Sequence, residues 1–100
     1  MSQVKFKTSY QGKPCEVMAG WDRPLAEFYM TLFDLDPEAD DETFWSAIAF
    51  PSDVDRKSTL RLRTKLVEFG ITPPDGFWER VERREANVTH VLTPTGWESY

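Results

Sequence analysis

Residues 3–22, QVKFKTSYQGKPCEVMAGWD, set the architecture because they hold two segments in which apolar and polar side chains alternate. In the first segment Val4 and Phe6 fall on one face and lysines on the other, and in the second Val17 marks the apolar face. A period of two is typical of strands that are buried on one side. Residues 11–14 lie between the segments and contain the Gly and Pro of a turn. The pattern predicts an antiparallel β-hairpin.

Two later segments extend the predicted sheet. Residues 25–35, LAEFYMTLFDL, are apolar on both faces through their middle. That pattern favours a central strand, although the low β-branched content leaves a helix open. Residues 43–50, TFWSAIAF, predict another short strand that ends at Pro51.

The remaining apolar residues have helical spacing. Leu62, Leu66 and Phe69 fall at i, i+4 and i+7. They predict a helix over about residues 54–69, and a second apolar stripe predicts another over about residues 75–86.

These elements together predict an α+β fold. Its sheet is an antiparallel meander of three to four strands within residues 3–50, packed against the two C-terminal helices. Residues 1–93 are expected to form a single domain, and residues 94–100 a flexible tail. The expected core consists of apolar residues on the inner faces: Val4, Phe6, Val17, Phe28, Met30, Leu32, Trp45, Ile48, Leu62, Leu66, Phe69, Trp78 and Val81.

Composition narrows the class of protein. The 100 residues include one cysteine, Cys15, which excludes an internal disulfide. The start of the chain lacks the charged and then apolar pattern of a secretory leader, and no apolar run approaches the roughly 18–20 residues that cross a bilayer. We therefore expect a small soluble cytoplasmic protein that does not bind membranes.

Charge is separated along the chain. Residues 34–42 contain only acidic charges, whereas residues 56–65 contain only basic ones, and the net charge is −5. A separated charge distribution steers the approach of partners more than it stabilises a fold. Overall acidity disfavours non-specific binding to nucleic acid, although a local basic face can still bind it.

Catalytic and metal-binding patterns are weak. His90 is the only histidine, and with Cys15 it falls short of the three or four N or S ligands of a zinc site. A nucleophile with a base would need His90 as the base and leaves its partner unspecified, so a partly exposed histidine near a strand end is the simpler interpretation. The acidic segment lacks the Gly and Glu that a calcium-binding EF-hand loop needs. We predict no catalytic residue, no metal and no cofactor.

The leading functional hypothesis is a non-enzymatic adaptor or regulatory module that binds another protein. It rests on the charge separation and on Trp and Arg at a connection between strands, since both are enriched at binding hot spots. The ordinary alternatives are a Trp21 packed in the core and an acidic segment that is merely solvated. The candidate contact residues are Trp21, Asp22, Arg23, Asp36, Glu38, Asp40, Asp41 and Glu42.

Two alternatives come from other classes. Lys57, Arg61 and Lys65 repeat every four residues on the first predicted helix. Such a stripe can contact nucleic-acid phosphates, but it is also the polar face of an ordinary amphipathic helix. The high aromatic content also permits a small-molecule site in an aromatic-lined pocket. The oligomeric state stays open.

Overall fold

A six-stranded mixed sheet forms the centre of the part of the chain that the structure describes. The computed structural model describes residues 2–24, 26–36, 43–46 and 58–100. The strands are β1 Gln3–Tyr10, β2 Lys13–Asp22, β3 Glu27–Asp34, β4 Thr43–Ser46, β5 Thr89–Thr93 and β6 Gly96–Ser99. Across the sheet their order is β4-β3-β2-β1-β5-β6.

The predicted hairpin is confirmed, and its register places the apolar faces together. Antiparallel pairing aligns Phe6 with Val17, and Val17 with Leu32 on the next strand. The turn between β1 and β2 has positive φ at both Gln11 and Gly12, at 51° and 78°. Two such residues match the twist of the flanking strands, so this turn closes the hairpin without splaying it.

The predicted three- to four-stranded meander is wrong because the sheet continues on the other side of β1. β5 pairs with β1 in parallel, and β6 pairs with β5 in antiparallel. Residues 96–99, which we expected in a flexible tail, form β6. The Trp97 indole N–H donates to the carbonyl of Asp75 at 3.1 Å, and the Arg80 guanidinium lies 4.6 Å from its ring centre. These contacts anchor β6 to the polypeptide around the second helix.

The helices are shorter than predicted. α1 spans Leu60–Glu68 and α2 spans Phe77–Glu82. Gly76 and Arg84 have positive φ, at 84° and 53°, so the chain leaves helical geometry on both sides of α2. Of the residues expected in the first helix, 54–57 lie outside the described residues.

The core lies between one face of the sheet and the helices. Phe77 of α2 is fully buried and its ring meets Phe6 edge-on at 4.9 Å between centres. Every described residue of the predicted core is buried except Phe69 and Trp78, which are half-buried, and Ile48 lies outside the described residues. Five buried hydrophobic residues were not predicted: Cys15, Ala19, Tyr29, Ile71 and Phe77. No helix among the described residues is long and apolar enough to cross a membrane.

Ser2, just before β1, is hydrogen-bonded to residues of both strands of the β2–β3 hairpin. The Tyr29 hydroxyl donates to the backbone carbonyl of Ser2, and the Ser2 hydroxyl accepts from the backbone N–H of Trp21 at 3.0 Å. Gly20 lies opposite Tyr29 in the sheet, and a Cβ at Gly20 would overlap the Ser2 carbonyl. Glycine is therefore required here for close approach of two backbones.

Candidate functional site

A pocket of about 280 Å³ opens where the end of the β2–β3 hairpin meets the two helices. Its walls come from β3, from the residues before and at the start of α1, and from the end of α2. The lining residues are Phe28, Ser58, Thr59, Glu82 and Arg84, and we call this site the Arg84 pocket.

Two aromatic rings form a platform beneath Arg84. Trp21 and Phe28 are directly opposite one another on β2 and β3, with ring centres 4.8 Å apart and an interplanar angle of 62°. The Arg84 guanidinium carbon lies 4.8 Å from the Trp21 ring centre and 5.4 Å from that of Phe28. Such stacking is worth about 0.5–1 kcal/mol at an exposed site, and it holds the guanidinium plane in place.

Arg84 forms no direct ion pair with a carboxylate among the described residues, although its charge helps to lower the pKa of the Glu82 carboxyl. The neighbouring cations differ, since Arg63 pairs with Glu82 at 2.6 Å and Arg83 with Glu79 at 3.7 Å. An Arg guanidinium offers a fork of N–H donors that fits a carboxylate or phosphate. The Arg84 fork is positioned by aromatic rings and is left available to a ligand.

The Glu82 carboxylate is already occupied by bonds between the helices. Its Oε1 accepts from the Thr59 hydroxyl at 2.5 Å and from Arg63 Nη2 at 2.6 Å. The Thr59 bond and then the Arg63 bond hold the pKa of the Glu82 carboxyl below its ordinary value. Glu82 is thus ionised at neutral pH, and its charge is balanced by Arg63.

The hydrogen bonds within the pocket determine what it can offer a ligand. The Thr59 hydroxyl donates its proton to Glu82, whereas the Ser58 hydroxyl accepts from the backbone N–H of Leu60 at 3.1 Å. The Ser58 O–H is therefore still able to donate. With Glu82 balanced by Arg63, the Arg84 pocket presents one net positive charge and one hydroxyl donor, which suits a small anionic group.

The structure brings part of the predicted contact residues to this site. Trp21 lies beneath Arg84, and Asp22 and Arg23 follow it, the first half-buried and the second exposed. Asp36 lies beyond the opposite end of β3, about 25 Å away at roughly 3.3 Å per residue. The remaining candidates, Glu38, Asp40, Asp41 and Glu42, lie outside the described residues.

The basic stripe is only partly described. Lys57 lies outside the described residues, and Arg61 is exposed on α1. The Lys65 ammonium pairs with Glu68 at 3.3 Å and lies 5.9 Å from the Trp45 ring centre. One of the two described residues of this stripe is therefore already engaged within the chain.

Four residues of the pocket were not predicted from the sequence: Ser58, Thr59, Glu82 and Arg84. Arg84 belongs to the run Glu82-Arg83-Arg84-Glu85, whose mixed charges look like an ordinary exposed helix face. No local signal could have linked Arg84 to Trp21, because the two meet only when α2 packs on the sheet. Among the described residues, no group of three or more His, Cys, Asp or Glu side chains is arranged to hold a metal ion.

Comparisons with protein-family models, with curated proteins and with solved structures find no match to this chain.

Proposed function

We propose that this chain is a protein-binding module, and that its Arg84 pocket receives an acidic side chain of the partner. The observation that carries the proposal is the Arg84 guanidinium, which is stacked on Trp21 and Phe28 and forms no direct ion pair with a carboxylate among the described residues. A carboxylate that accepts two parallel N–H groups from such a fork forms a strong charge-assisted pair.

The surroundings of the pocket favour a protein over a free small molecule. The pocket is open, and three of its lining residues, Ser58, Glu82 and Arg84, are exposed, whereas small-molecule sites usually bury most of the ligand. Half-buried Trp21 lies against Arg84, exposed Arg23 follows two residues later in the chain, and Trp and Arg are among the residue types most enriched at interface hot spots. A partner chain can insert one side chain into the pocket and cover this rim. With its single cysteine, the module is expected to work in the reducing cytoplasm.

Selection of displayed peptides tests the proposal even though the partner is unidentified. A library of random peptides is selected against the immobilised protein, and the enriched peptides are synthesised and measured by fluorescence polarisation. We expect the enriched peptides to share an Asp or Glu. Arg84→Gln should weaken their binding about 10- to 100-fold, since hydrogen bonds to charged groups contribute about 1.5–3 kcal/mol.

Two variants serve as controls. Arg61→Gln removes an exposed cation outside the pocket and should leave affinity within about twofold, because its field is screened by salt. Arg84→Lys keeps the charge but loses the fork, and should recover only part of the affinity. Equal binding of the peptides to wild type and Arg84→Gln would remove the pocket from the interface.

The acidic segment remains a predicted second contact. Joint neutralisation of Asp40, Asp41 and Glu42 should slow association with a captured partner and flatten its dependence on salt. Unchanged association kinetics would exclude this segment from the interface.

Binding of nucleic acid is the alternative that the basic stripe suggests. Nucleic-acid binding would be indicated by a dissociation constant below about 100 μM for a random DNA duplex at low salt. The Arg61→Gln variant should then bind the same duplex more weakly than the wild type. The engagement of Lys65 by Glu68 and Trp45 favours the protein-binding proposal over this one.

A further inference from the structure

A second polar cluster lies at the other edge of the sheet, around His90. We expected this histidine to be partly exposed, but it is 4% exposed. Its Nδ1 lies 2.7 Å from the Ser99 hydroxyl oxygen, and its Nε2 lies 2.7 Å from Glu85 Oε1. Both ring nitrogens are therefore hydrogen-bonded, one to a hydroxyl and the other to a carboxylate.

The carboxylate fixes the direction of the Nε2 bond, and in a neutral ring this also fixes the direction of the Nδ1 bond. An ionised Glu85 can only accept, so His90 Nε2 carries the proton that it donates. In the neutral ring Nδ1 is then an acceptor, and the Ser99 hydroxyl must donate to it. We assign this tautomer from the hydrogen-bond network. The chain of donors runs from Ser99 through His90 to Glu85, which is the order that activates a serine hydroxyl.

The register of β5 and β6 explains why the cluster forms. Thr89 and Tyr100 exchange both backbone hydrogen bonds, at 3.3 and 2.8 Å. The next pair, His90 and Ser99, is therefore a non-hydrogen-bonded pair, in which facing side chains come closest. In such a pair the backbone N–H of Ser99 points away from β5, toward the outer edge of β6, where no further strand pairs among the described residues.

The three side chains of the cluster differ in solvent exposure, as a reactive serine with a sheltered base requires. Ser99 is exposed on the edge strand, while the base behind it is buried and the Glu85 side chain is 31% exposed. A reagent can therefore reach the hydroxyl while His90 stays sheltered from water. The outward N–H of Ser99 is not used in the β5–β6 ladder, so it can donate to an oxygen that becomes negative on a carbonyl bound to that hydroxyl.

We propose that Ser99 is a nucleophile that accepts an acyl group from an activated ester, with His90 as its base and Glu85 as the positioning residue. The Ser99 oxygen forms a bond to the carbonyl carbon as its proton passes to His90 Nδ1. The bond from that carbon to the leaving oxygen or sulfur breaks, and the leaving group takes the proton from Nδ1. The products are an acyl ester of Ser99 and a free alcohol or thiol. This proposal is independent of the Arg84 pocket.

The test uses p-nitrophenyl acetate and the full chain. Acetylated positions are mapped by peptide mass spectrometry over time, and the rate at Ser99 is compared with that at Ser9, an exposed strand serine with no hydrogen-bonded base. We expect acetylation of Ser99 to be at least about 100-fold faster, the lower end of general-base assistance. Comparable rates at the two serines would overturn the proposal.

Variants separate activation from folding. His90→Gln should reduce Ser99 acetylation to the Ser9 rate, but it alters a buried residue that can be needed for stability. Glu85→Gln can still accept from Nε2 and lies nearer the surface, so its melting temperature should stay close to that of the wild type. It should slow acetylation about 10-fold or more because the charge that stabilises the imidazolium is gone, and Glu85→Asp should restore part of the rate. If a folded Glu85→Gln protein reacts at the wild-type rate, Glu85 has no positioning role and the proposed relay is wrong.

Discussion

Alkaline pH should destabilise this protein through a buried phenol. Burial, and then the charge of Asp22, raises the pKa of the Tyr29 hydroxyl from 10.0 to about 12. The same hydroxyl donates to the backbone carbonyl of Ser2, and a phenolate cannot donate. Ionisation of Tyr29 therefore costs more in the folded state than in the unfolded chain.

The size and sign of the effect follow from the pKa difference. A pKa of about 12 in place of 10.0 corresponds to about 3 kcal/mol. Because the folded pKa is the higher one, this contribution is complete below pH 10 and is lost as the pH rises to about 12. At about pH 11, roughly half of this contribution should be gone. The Cys15 thiol, with a pKa raised to about 11 by burial, Asp34 and Glu16, adds a loss that begins near pH 9.

Urea unfolding of wild type and Tyr29→Phe at about pH 8 and pH 11 measures the Tyr29 part. At pH 8 the variant should be less stable by about 1–3 kcal/mol, because the buried Ser2 carbonyl loses its donor. Between the two pH values the free energy of unfolding of the variant should fall by about 1–2 kcal/mol less than that of the wild type. The Cys15 contribution is present in both proteins and cancels. If both proteins lose the same free energy of unfolding, the buried phenol is not the cause and the reasoning fails.

Three further substitutions test the packing and the helix contact. Gly20→Ala should lower the free energy of unfolding by about 1–3 kcal/mol or more in chemical denaturation, because the new Cβ overlaps the Ser2 carbonyl. A variant as stable as the wild type would contradict that close approach. Leu32→Ala, at a fully buried position of β3, should cost about 2–5 kcal/mol by the same measurement, and a loss below about 1 kcal/mol would contradict its central packing. Glu82→Gln should cost less than about 1 kcal/mol at neutral pH, because its bond to Arg63 is half-exposed. The pKa of the Glu82 carboxyl is lowered in the folded state, so the stability difference between wild type and Glu82→Gln should vanish as acid protonates Glu82. Melting temperatures measured across acidic pH test this. A difference that persists in acid would exclude the Glu82 charge as its source.

The first four strands, including the short β4, were predictable from local patterns in the sequence, whereas β6 was not. β1 and β2 are eight and ten residues long and alternate over most of that length, which is enough to identify both strands and their hairpin. β6 has only four residues, and its place depends on the pairing of β5 with β1, which are far apart in the sequence. No periodicity within a short window reports such a pairing.

The helix bounds failed for a local reason. The charged residues after Glu82 continue a helical pattern, but Arg84 adopts a φ of 53° and ends it. A left-handed conformation at Arg is unusual, so it has no sequence signature. That same turn carries the Arg84 side chain toward the rings of Trp21 and Phe28.

The residues of the two candidate sites were also only partly predictable from the sequence. Trp21 was identified because its residue type is frequent in interfaces. Its partner Arg84 was not, because the contact joins two distant segments of the chain. His90 was recognised as the only available base, while Ser99 and Glu85 became its neighbours through the register of β5 and the end of α2.

The parallel pairing of β1 with β5 has a consequence for biosynthesis. The ribosome produces β1, β2 and β3 early, and their hairpins can form while synthesis continues. The second edge of β1 has no partner until residues 89–93 have been added. During that interval the nascent chain exposes an unpaired strand edge with Val4 and Phe6 beside it, and such edges promote association between chains. Pairing of β5 with β1 is thus the step that covers this edge, and association between chains is most favoured before it occurs.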